Sequence, residues 1–145
     1  MPKMATLRNF FLFMILFLYI FCGNAIIEIQ LEDLKRGSLR DNEYDFYKLI
    51  LPAEVDKSGQ LIVELEPNVD LDAINNIISD PNLYISVNDQ YVTEQNNMWA
   101  SNRYGDETIA ISGRYINPFQ PFYIGVHCIK KCNYILKVNM VKTMI

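Results

Sequence analysis

Two alternating apolar runs near the C-terminus restrict what this chain can fold into more than any other feature. Residues 122–128 and 132–138 each alternate in polarity, and only three residues, 129–131, separate them. A period of two and so short a connection are typical of a β-hairpin. Cys128 and Cys132 stand on either side of the turn, within reach of a disulfide. The sequence therefore predicts an all-β ending held by a Cys128–Cys132 disulfide.

A metal site is the alternative interpretation of the two cysteines. Structural zinc takes four ligands, and the chain adds only one histidine, His127, to the C-x3-C pair. Disulfides persist in oxidising compartments, and the N-terminus indicates such a destination. We therefore favour the disulfide.

The first 25 residues have the organisation of a secretory signal peptide. Lys3 and Arg8 form a basic start, and 13 unbroken apolar residues follow at 10–22. Gly23 and Ala25 then supply the small residues that precede a cleavage position. A membrane span needs about 20 apolar residues, so this run is short for one.

These boundaries divide the chain into two predicted segments. Residues 1–25 are the expected signal peptide, and residues 26–145 form one domain in the secretory lumen or outside the cell. The alternative is an uncleaved anchor, in which residues 4–22 hold the chain on a membrane. Residues 1–25 contain two basic and no acidic residues, so the formal charge falls from −4 for the whole chain to −6 for residues 26–145. An acidic surface argues against nucleic acid as a partner and leaves room for cations.

Short alternating runs with turn signals between them continue through the domain. Strands are predicted, besides the hairpin, at residues 26–31, 44–51, 60–65, 83–87 and 107–112. Residues 32–42 and 90–102 are predicted to be loops. Leucine and isoleucine at helical spacing predict a short helix at 70–79. About seven to eight strands with one short helical insert indicate an antiparallel β-sandwich.

Aromatic side chains are the main candidates for a binding surface. The chain has nine tyrosines and one tryptophan, and exposed aromatic rings make good protein or glycan contacts. The candidates in or near predicted loops are Trp99, Tyr91, Tyr104, Tyr115 and Phe119. Half-buried packing is the common alternative for tyrosines in strands, and a position at the core edge is the alternative for the tryptophan.

No residue set indicates catalysis. His127 is adjacent to Cys128 in a predicted strand, where neighbouring side chains point to opposite faces. A disulfide-bonded cysteine is no nucleophile, and neither Gly-x-Ser-x-Gly nor His-Glu-x-x-His occurs. Pairs of loop carboxylates, such as Asp70 and Asp72, are usually solvated or capping groups. We expect no enzymatic activity and no resident cofactor, with calcium as the one candidate ion.

Acidic residues in the predicted turns are weak candidates for calcium binding. Calcium takes about six to eight oxygen ligands from carboxylates and carbonyls. The candidate residues are Asp80, Asn82 and Asp106, none of which belongs to an EF-hand loop. The alternative is that such residues shape turns by accepting backbone N–H bonds.

The order of these segments resembles the pre-peptidase C-terminal (PPC) domain family. The matching segments cover nearly the whole domain: residues 37–39, 44–52, 59–63, 80–86, 99–101, 105–109, 122–126 and 134–138. The resemblance implies a secreted, jelly-roll-like β-sandwich that serves as an accessory module, and relatives of similar fold bind matrix proteins and calcium. Pro81 and Asn82 stand where the family often carries more acidic residues, and the insert at 70–79 is longer than the family leads us to expect.

Three functions are therefore expected, in decreasing order. The first is a secreted, non-enzymatic binding module that contacts another protein or a glycan. The second is a structural subunit of an extracellular or membrane-anchored assembly. The third is a calcium-dependent binding domain.

Overall fold

The computed structural model describes residues 25–69 and 80–142, and within them the chain forms nine β-strands and one short 3₁₀ helix. The strands are β1 Ile26–Ile29, β2 Leu34–Leu39, β3 Glu43–Leu49, β4 Gln60–Pro67, β5 Pro81–Ser86, β6 Trp99–Ser101, β7 Glu107–Ser112, β8 Phe122–Cys128 and β9 Cys132–Val141. The 3₁₀ helix spans Gly113–Tyr115. The predicted helix at 70–79 and the predicted anchor at 4–22 lie outside the described residues. None of the described helical segments is long and apolar enough to cross a membrane.

The strands form two sheets packed face to face. Sheet A has the order β1-β3-β8-β5-β6, and sheet B has the order β2-β9-β4-β7. Without β1, the orders 3-8-5-6 and 2-9-4-7 are those of an eight-stranded jelly roll. The predicted all-β sandwich is confirmed, with nine described strands where seven to eight were expected. The two strands that were not predicted are β2 and β6; β1, which was predicted, lies outside the jelly-roll order and pairs parallel to β3 at the edge of sheet A.

Alternating side chains from both sheets fill the space between them. β4 directs Leu61, Val63 and Leu65 inwards, where all three are completely buried, and leaves the residues between them half exposed. This period of two is why alternating sequence forms strands with one buried face. Cys128 and Cys132 belong to the same core, and the predicted disulfide joins them.

Strand β2 corrects the prediction that residues 32–42 form a loop. Its sequence, LKRGSL, is polar because β2 lies at the edge of sheet B and turns alternate side chains to solvent. At Gly37 a Cβ atom would overlap the ring of Tyr134, so only glycine lets that ring lie against β2. Strand β6 likewise forms within the predicted loop 90–102, because its three residues pair with β5.

The loops gather at the two ends of the sandwich. The first residue of β8, Phe122, lies opposite the last residue of β3, Leu49, and this register defines which loops share an end. One end, which we call the aromatic end, consists of residues 30–33, 50–59, 87–98 and 113–121. The other, which we call the disulfide end, consists of residues 40–42, 68–69, 80, 102–106 and 129–131. The two ends carry different side chains.

Candidate interaction surface at the aromatic end

A tight turn at the aromatic end carries a phenylalanine that is almost fully exposed. The Gln120 N–H donates to the Asn117 carbonyl at 3.0 Å, and the Phe119 N–H donates to Asn117 Oδ1 at 3.2 Å. Pro118 and Pro121 restrict the backbone on both sides of the tip. The Phe119 side chain is 90% exposed. A rigid turn therefore presents a bare aromatic ring to solvent.

The base of the same loop is anchored in the sandwich. At Gly113 the backbone runs so close to the Lys57 carbonyl that a Cβ atom would overlap it. The Gly113 N–H donates to the Gly59 carbonyl at 2.8 Å, and Ile116 is buried in the core. The buried residues of the loop thus fix the positions of its exposed residues before any partner binds.

Tyr115 is the second aromatic side chain of this loop. It is 56% exposed, and the Arg114 guanidinium lies over its ring, with 4.7 Å between Cζ and the ring centroid. This cation–π contact orients both groups while leaving them in solvent. Tyr115 and Phe119 therefore project from one rigid loop, on either side of the buried Ile116.

Exposed apolar side chains are more numerous at the aromatic end than at the disulfide end. Besides the two aromatics of the loop, three large apolar residues there are about half exposed: Ile50, Tyr91 and Met98. The described part of the disulfide end has three exposed residues of this kind: Val69, Tyr104 and Ile129. Single exposed apolar residues are normal on a protein surface. Two aromatics on one rigid loop, with apolar neighbours at the same end, are more typical of an interaction surface.

A second loop of the aromatic end folds over the outer face of sheet A. Val92 of this loop is fully buried, and a Cβ atom at Gly125 of β8 would overlap its carbonyl. The loop is closed by its own side chains: Asn96 Oδ1 accepts from the Thr93 N–H at 2.5 Å, and Asn96 Nδ2 donates to the Tyr91 carbonyl at 3.2 Å. The asparagine-rich sequence of this loop thus supplies an internal hydrogen-bond network.

An aromatic cluster lies beneath this covering loop. Tyr44 stacks on His127 with ring centroids 4.2 Å apart, and Phe46 meets the ring of Tyr91 edge-on at 5.2 Å. Burial raises the pKa of Tyr84 to about 12 and lowers the pKa of His127, because a charged ring would lose its hydration. The cluster holds the covering loop in place and leaves Tyr91 46% exposed.

The predicted binding residues are spread over the molecule. Phe119 and Tyr115 come together on one loop of the aromatic end, whereas Tyr91 lies above the outer face of sheet A. Trp99 is half-buried and packs against the hydrophobic core. Tyr104 lies at the disulfide end and is 86% exposed. Only Phe119 and Tyr115 share a loop.

The histidine and its neighbouring cysteine do not form a catalytic pair. Cys128 faces the core and is bonded to Cys132, whereas His127 faces the outer surface of sheet A. This opposition follows from the pleat of the strand. His127 is 8% exposed and its Nδ1 atom has no hydrogen-bond partner, so the ring serves as a buried aromatic group.

The three calcium candidates differ in burial and in hydrogen bonding. Asp80 Oδ1 accepts the Gly105 N–H at 2.9 Å, which ties the start of β5 to the loop 102–106. Asn82 is buried in β5 opposite His127 of β8, and Asp106 is exposed. Across residues 25–69 and 80–142, no group of three or more histidine, cysteine, aspartate or glutamate side chains could hold a metal ion. Calcium binding stays a prediction.

Two buried polar contacts were not predicted from the sequence. The Tyr134 hydroxyl donates to Asp45 Oδ2 and lies 2.5 Å from the Tyr47 hydroxyl, which joins sheet B to sheet A. Glu107 is 1% exposed; its Oε2 atom accepts from the Ser101 hydroxyl, and its Oε1 atom has no partner. The signal that could have found both is an acidic residue at a core-facing position of an alternating strand.

The comparisons with known proteins leave the family open. No protein-family model matches the chain, and no curated protein matches its sequence. Among solved structures, PliG, a periplasmic lysozyme inhibitor of g-type lysozyme from Aeromonas hydrophila, gives a partial match. It is 12% identical, and the match covers 82% of this chain and 100% of that chain with a TM-score of 0.47. A likeness at this level does not bear on what this chain binds, and membership of the PPC family stays a prediction.

Proposed function

We propose that this chain is a secreted, non-enzymatic module that binds another protein through its aromatic end. The observation that carries the proposal is the Phe119 ring, 90% exposed on a turn made rigid by hydrogen bonds and two prolines. Burying such a ring on a partner is worth about 1.5–3 kcal/mol. Because the loop is already ordered, little conformational entropy is lost when it binds.

The surface chemistry favours a protein with an apolar pocket over other partners. The Phe119 side chain has no hydrogen-bonding group, which suits the dry centre of a protein interface. Tyr115 and Arg114 beside it supply the polar and aromatic groups that commonly surround such a centre. The formal charge of −6 for residues 26–145 disfavours strongly acidic partners. A glycan is the alternative occupant, because aromatic rings also stack on sugars.

The disulfide supports the proposed compartment. The Cys128–Cys132 bond closes the hairpin, and bonds of this kind persist in oxidising surroundings. A signal peptide at 1–25 agrees with that location but remains a prediction. If residues 4–22 instead anchor the chain, the same binding domain would act as a membrane-tethered subunit.

Affinity capture with matched variants tests the proposal. The tagged full chain is secreted by its host, purified without reduction and used to capture proteins from the extracellular fluid. Phe119→Ser and Tyr104→Ser are tested beside it. These two side chains are 90% and 86% exposed, so each variant loses an aromatic ring without disturbing the core.

We expect the wild-type chain and Tyr104→Ser to capture the same protein, and Phe119→Ser to lose it. Equal capture by both variants would show that the aromatic end is not the binding surface. Capture that disappears when the fluid is treated with glycosidases would identify a glycan as the bound group.

A further inference from the structure

Strand β7 has one edge that no other described strand pairs with. It forms one side of sheet B, and its partner among the described strands is β4, through six consecutive pairs from Leu65–Glu107 to Gln60–Ser112. In such an unbroken antiparallel pair, alternate backbone N–H and C=O groups of β7 point away from β4. Among the described residues no backbone group hydrogen-bonds to that outer side. A row of unpaired groups of this kind is a template for a further β-strand.

The other three edges carry features that discourage pairing. β1 and β6 are only four and three residues long. β2, at the far side of sheet B, carries Lys35 and Arg36, and charged side chains commonly protect an edge. The alternate, solvent-side residues of β7 are the uncharged Thr108, Ala110 and Ser112, and the strand has neither a proline nor a bulge. Among the four edge strands of the described sheets, β7 alone offers five consecutive uncharged residues, 108–112.

We propose that β7 pairs with β7 of a second copy of this chain, antiparallel about a two-fold axis. The two B sheets then join into one sheet of eight strands. The occupant is a second copy because the strand complements itself. Opposite residues of an antiparallel pair point to the same face, so pairing centred on Ala110 sets Thr108 against Ser112 on the solvent face. On the core face the same register sets Ile109 against Ile111.

Charge does not oppose pairing at β7 itself. Each copy carries a formal charge of −6 over residues 26–145, so two copies repel at long range. The proposed seam brings no like charges together, because residues 108–112 are all uncharged. An association through β7 therefore avoids the repulsion that other surfaces of the chain would add.

The Glu107 end of the strand limits the extent of the pairing. The loop 102–106 leads from β6 into β7, and the Ser101 hydroxyl donates to Glu107 Oε2 there. Residues 108–112 remain as the open part of the edge, which places the centre at Ala110. Five residue pairs bury far less than the roughly 1,600 Å² of a standard interface, so we expect a weak dimer with a Kd on the order of 10–100 µM.

The dimer goes beyond the proposed function and does not depend on it. Phe119 lies beyond the last residue of β7, so each copy keeps its own binding loop. A dimer would present two such loops to a partner, which raises avidity without any new contact.

Sedimentation equilibrium of the full secreted chain, purified without reduction, tests the pairing. The concentration range should bracket the expected Kd, from about 1 to 500 µM. Thr108→Lys combined with Ala110→Lys places two lysines on the open edge. The matched control combines Leu34→Lys with Ser38→Lys, which adds the same charge to β2 at the opposite edge of the same sheet.

We expect the wild-type chain and the β2 control to convert from monomer to dimer, and the β7 variant to need at least about tenfold higher concentration. Hydrogen exchange of residues 108–112 in the wild-type chain should slow as concentration rises, and this decides the matter if the β7 variant does not fold. A wild-type chain that stays monomeric throughout, or lysines at β2 and β7 that weaken the dimer equally, would overturn the proposal. If the wild-type chain stays monomeric, the edge of β7 would be free for a strand of another protein.

Discussion

The two ends of the sandwich each present a highly exposed aromatic ring, but the surroundings of the two rings differ. Phe119 at the aromatic end and Tyr104 at the disulfide end are almost equally exposed, at 90% and 86%. The Tyr104 hydroxyl can form hydrogen bonds with water, and its neighbours in the chain are the charged Arg103 and Gly105, which has no side chain. Phe119 has no polar side-chain atom, and its loop has a buried base and a second exposed aromatic. The anchored loop and its second exposed aromatic are therefore the grounds on which Phe119, rather than Tyr104, is proposed to bind a partner.

The two ends are also made rigid in different ways. At the disulfide end a covalent bond joins Cys128 to Cys132, and the Lys131 N–H donates to Asp41 Oδ1 at 2.7 Å. The aromatic end relies on close packing at Gly113 and on hydrogen bonds within the turn. Changes that act on one end only should therefore separate binding from stability.

The largest expected effect is on binding at the aromatic end. Phe119→Ala should weaken binding of the captured protein by about 30-fold, because a central apolar side chain contributes about 2 kcal/mol or more to an interface. Tyr104→Ala should change the Kd by less than about twofold. Titration calorimetry of both variants measures the difference. The comparison of the two ends fails if the two losses are equal.

Removal of the disulfide should give the reverse result. Cys128→Ala with Cys132→Ala should lower the free energy of unfolding by about 2 kcal/mol, because a closed loop of this length restricts the unfolded chain by that amount. Binding should be unchanged, since the bond lies at the opposite end. Urea unfolding and calorimetry test the two statements separately. A double variant that stays folded yet no longer binds would argue against independent ends.

A smaller loss of stability is expected from a change at the buried contact that joins the two sheets. Tyr134→Phe removes the hydroxyl that donates to Asp45 and contacts Tyr47, and it leaves both without this partner. The free energy of unfolding should fall by about 1–2 kcal/mol. Tyr115→Phe, which removes an exposed hydroxyl, serves as the control and should change it by less than about 0.5 kcal/mol. Equal effects would mean that the buried contact contributes nothing specific.

The smallest expected effect is a gain of stability at Glu107. Burial raises the pKa of this carboxyl; the hydrogen bond from Ser101 opposes the shift, and the charge of Asp80 adds to it. A carboxyl with a raised pKa in the folded state stabilises the fold at low pH and loses that contribution as pH rises through the folded pKa. Above its folded-state pKa the buried carboxylate is charged, with Oε1 unpaired, so Glu107→Gln should stabilise the chain there by about 1 kcal/mol.

Thermal unfolding across pH checks this sign. The gain from Glu107→Gln should shrink once pH falls below the ordinary pKa of a glutamate, near about 4.3, where the wild-type carboxyl is protonated in both states. Glu54→Gln, at an exposed position, provides the matched control. A gain that stays constant with pH would point to a cause other than ionisation.

Alternation predicted the sandwich because it determines directly which strand residues are buried. β4, β7 and the C-terminal hairpin were predicted in the right places for this reason. β2 could not be predicted from LKRGSL, since its place depends on the distant β9 and on the Tyr134 ring that covers Gly37. The parallel pairing of β1 depends on β3 in the same way.

The candidate site was only partly predictable. Phe119 and Tyr115 could be named as candidates because they are aromatic residues in or near predicted loops. Phe119 and Tyr104 lie at opposite ends of the sandwich. Which loops share an end is determined by the direction and register of the paired strands. The open edge of β7 depends on the order of the strands in sheet B, and this order could not be predicted from the sequence alone.

Hydrogen exchange of the native complex tests the central claim, that the aromatic end binds the partner, most directly. The exchange rates of the free and the partner-bound chain are compared loop by loop. The account predicts slowed exchange at residues 113–121 and no change at residues 102–106. Slowed exchange confined to 102–106 or 129–131, with residues 113–121 exchanging as in the free chain, would contradict it.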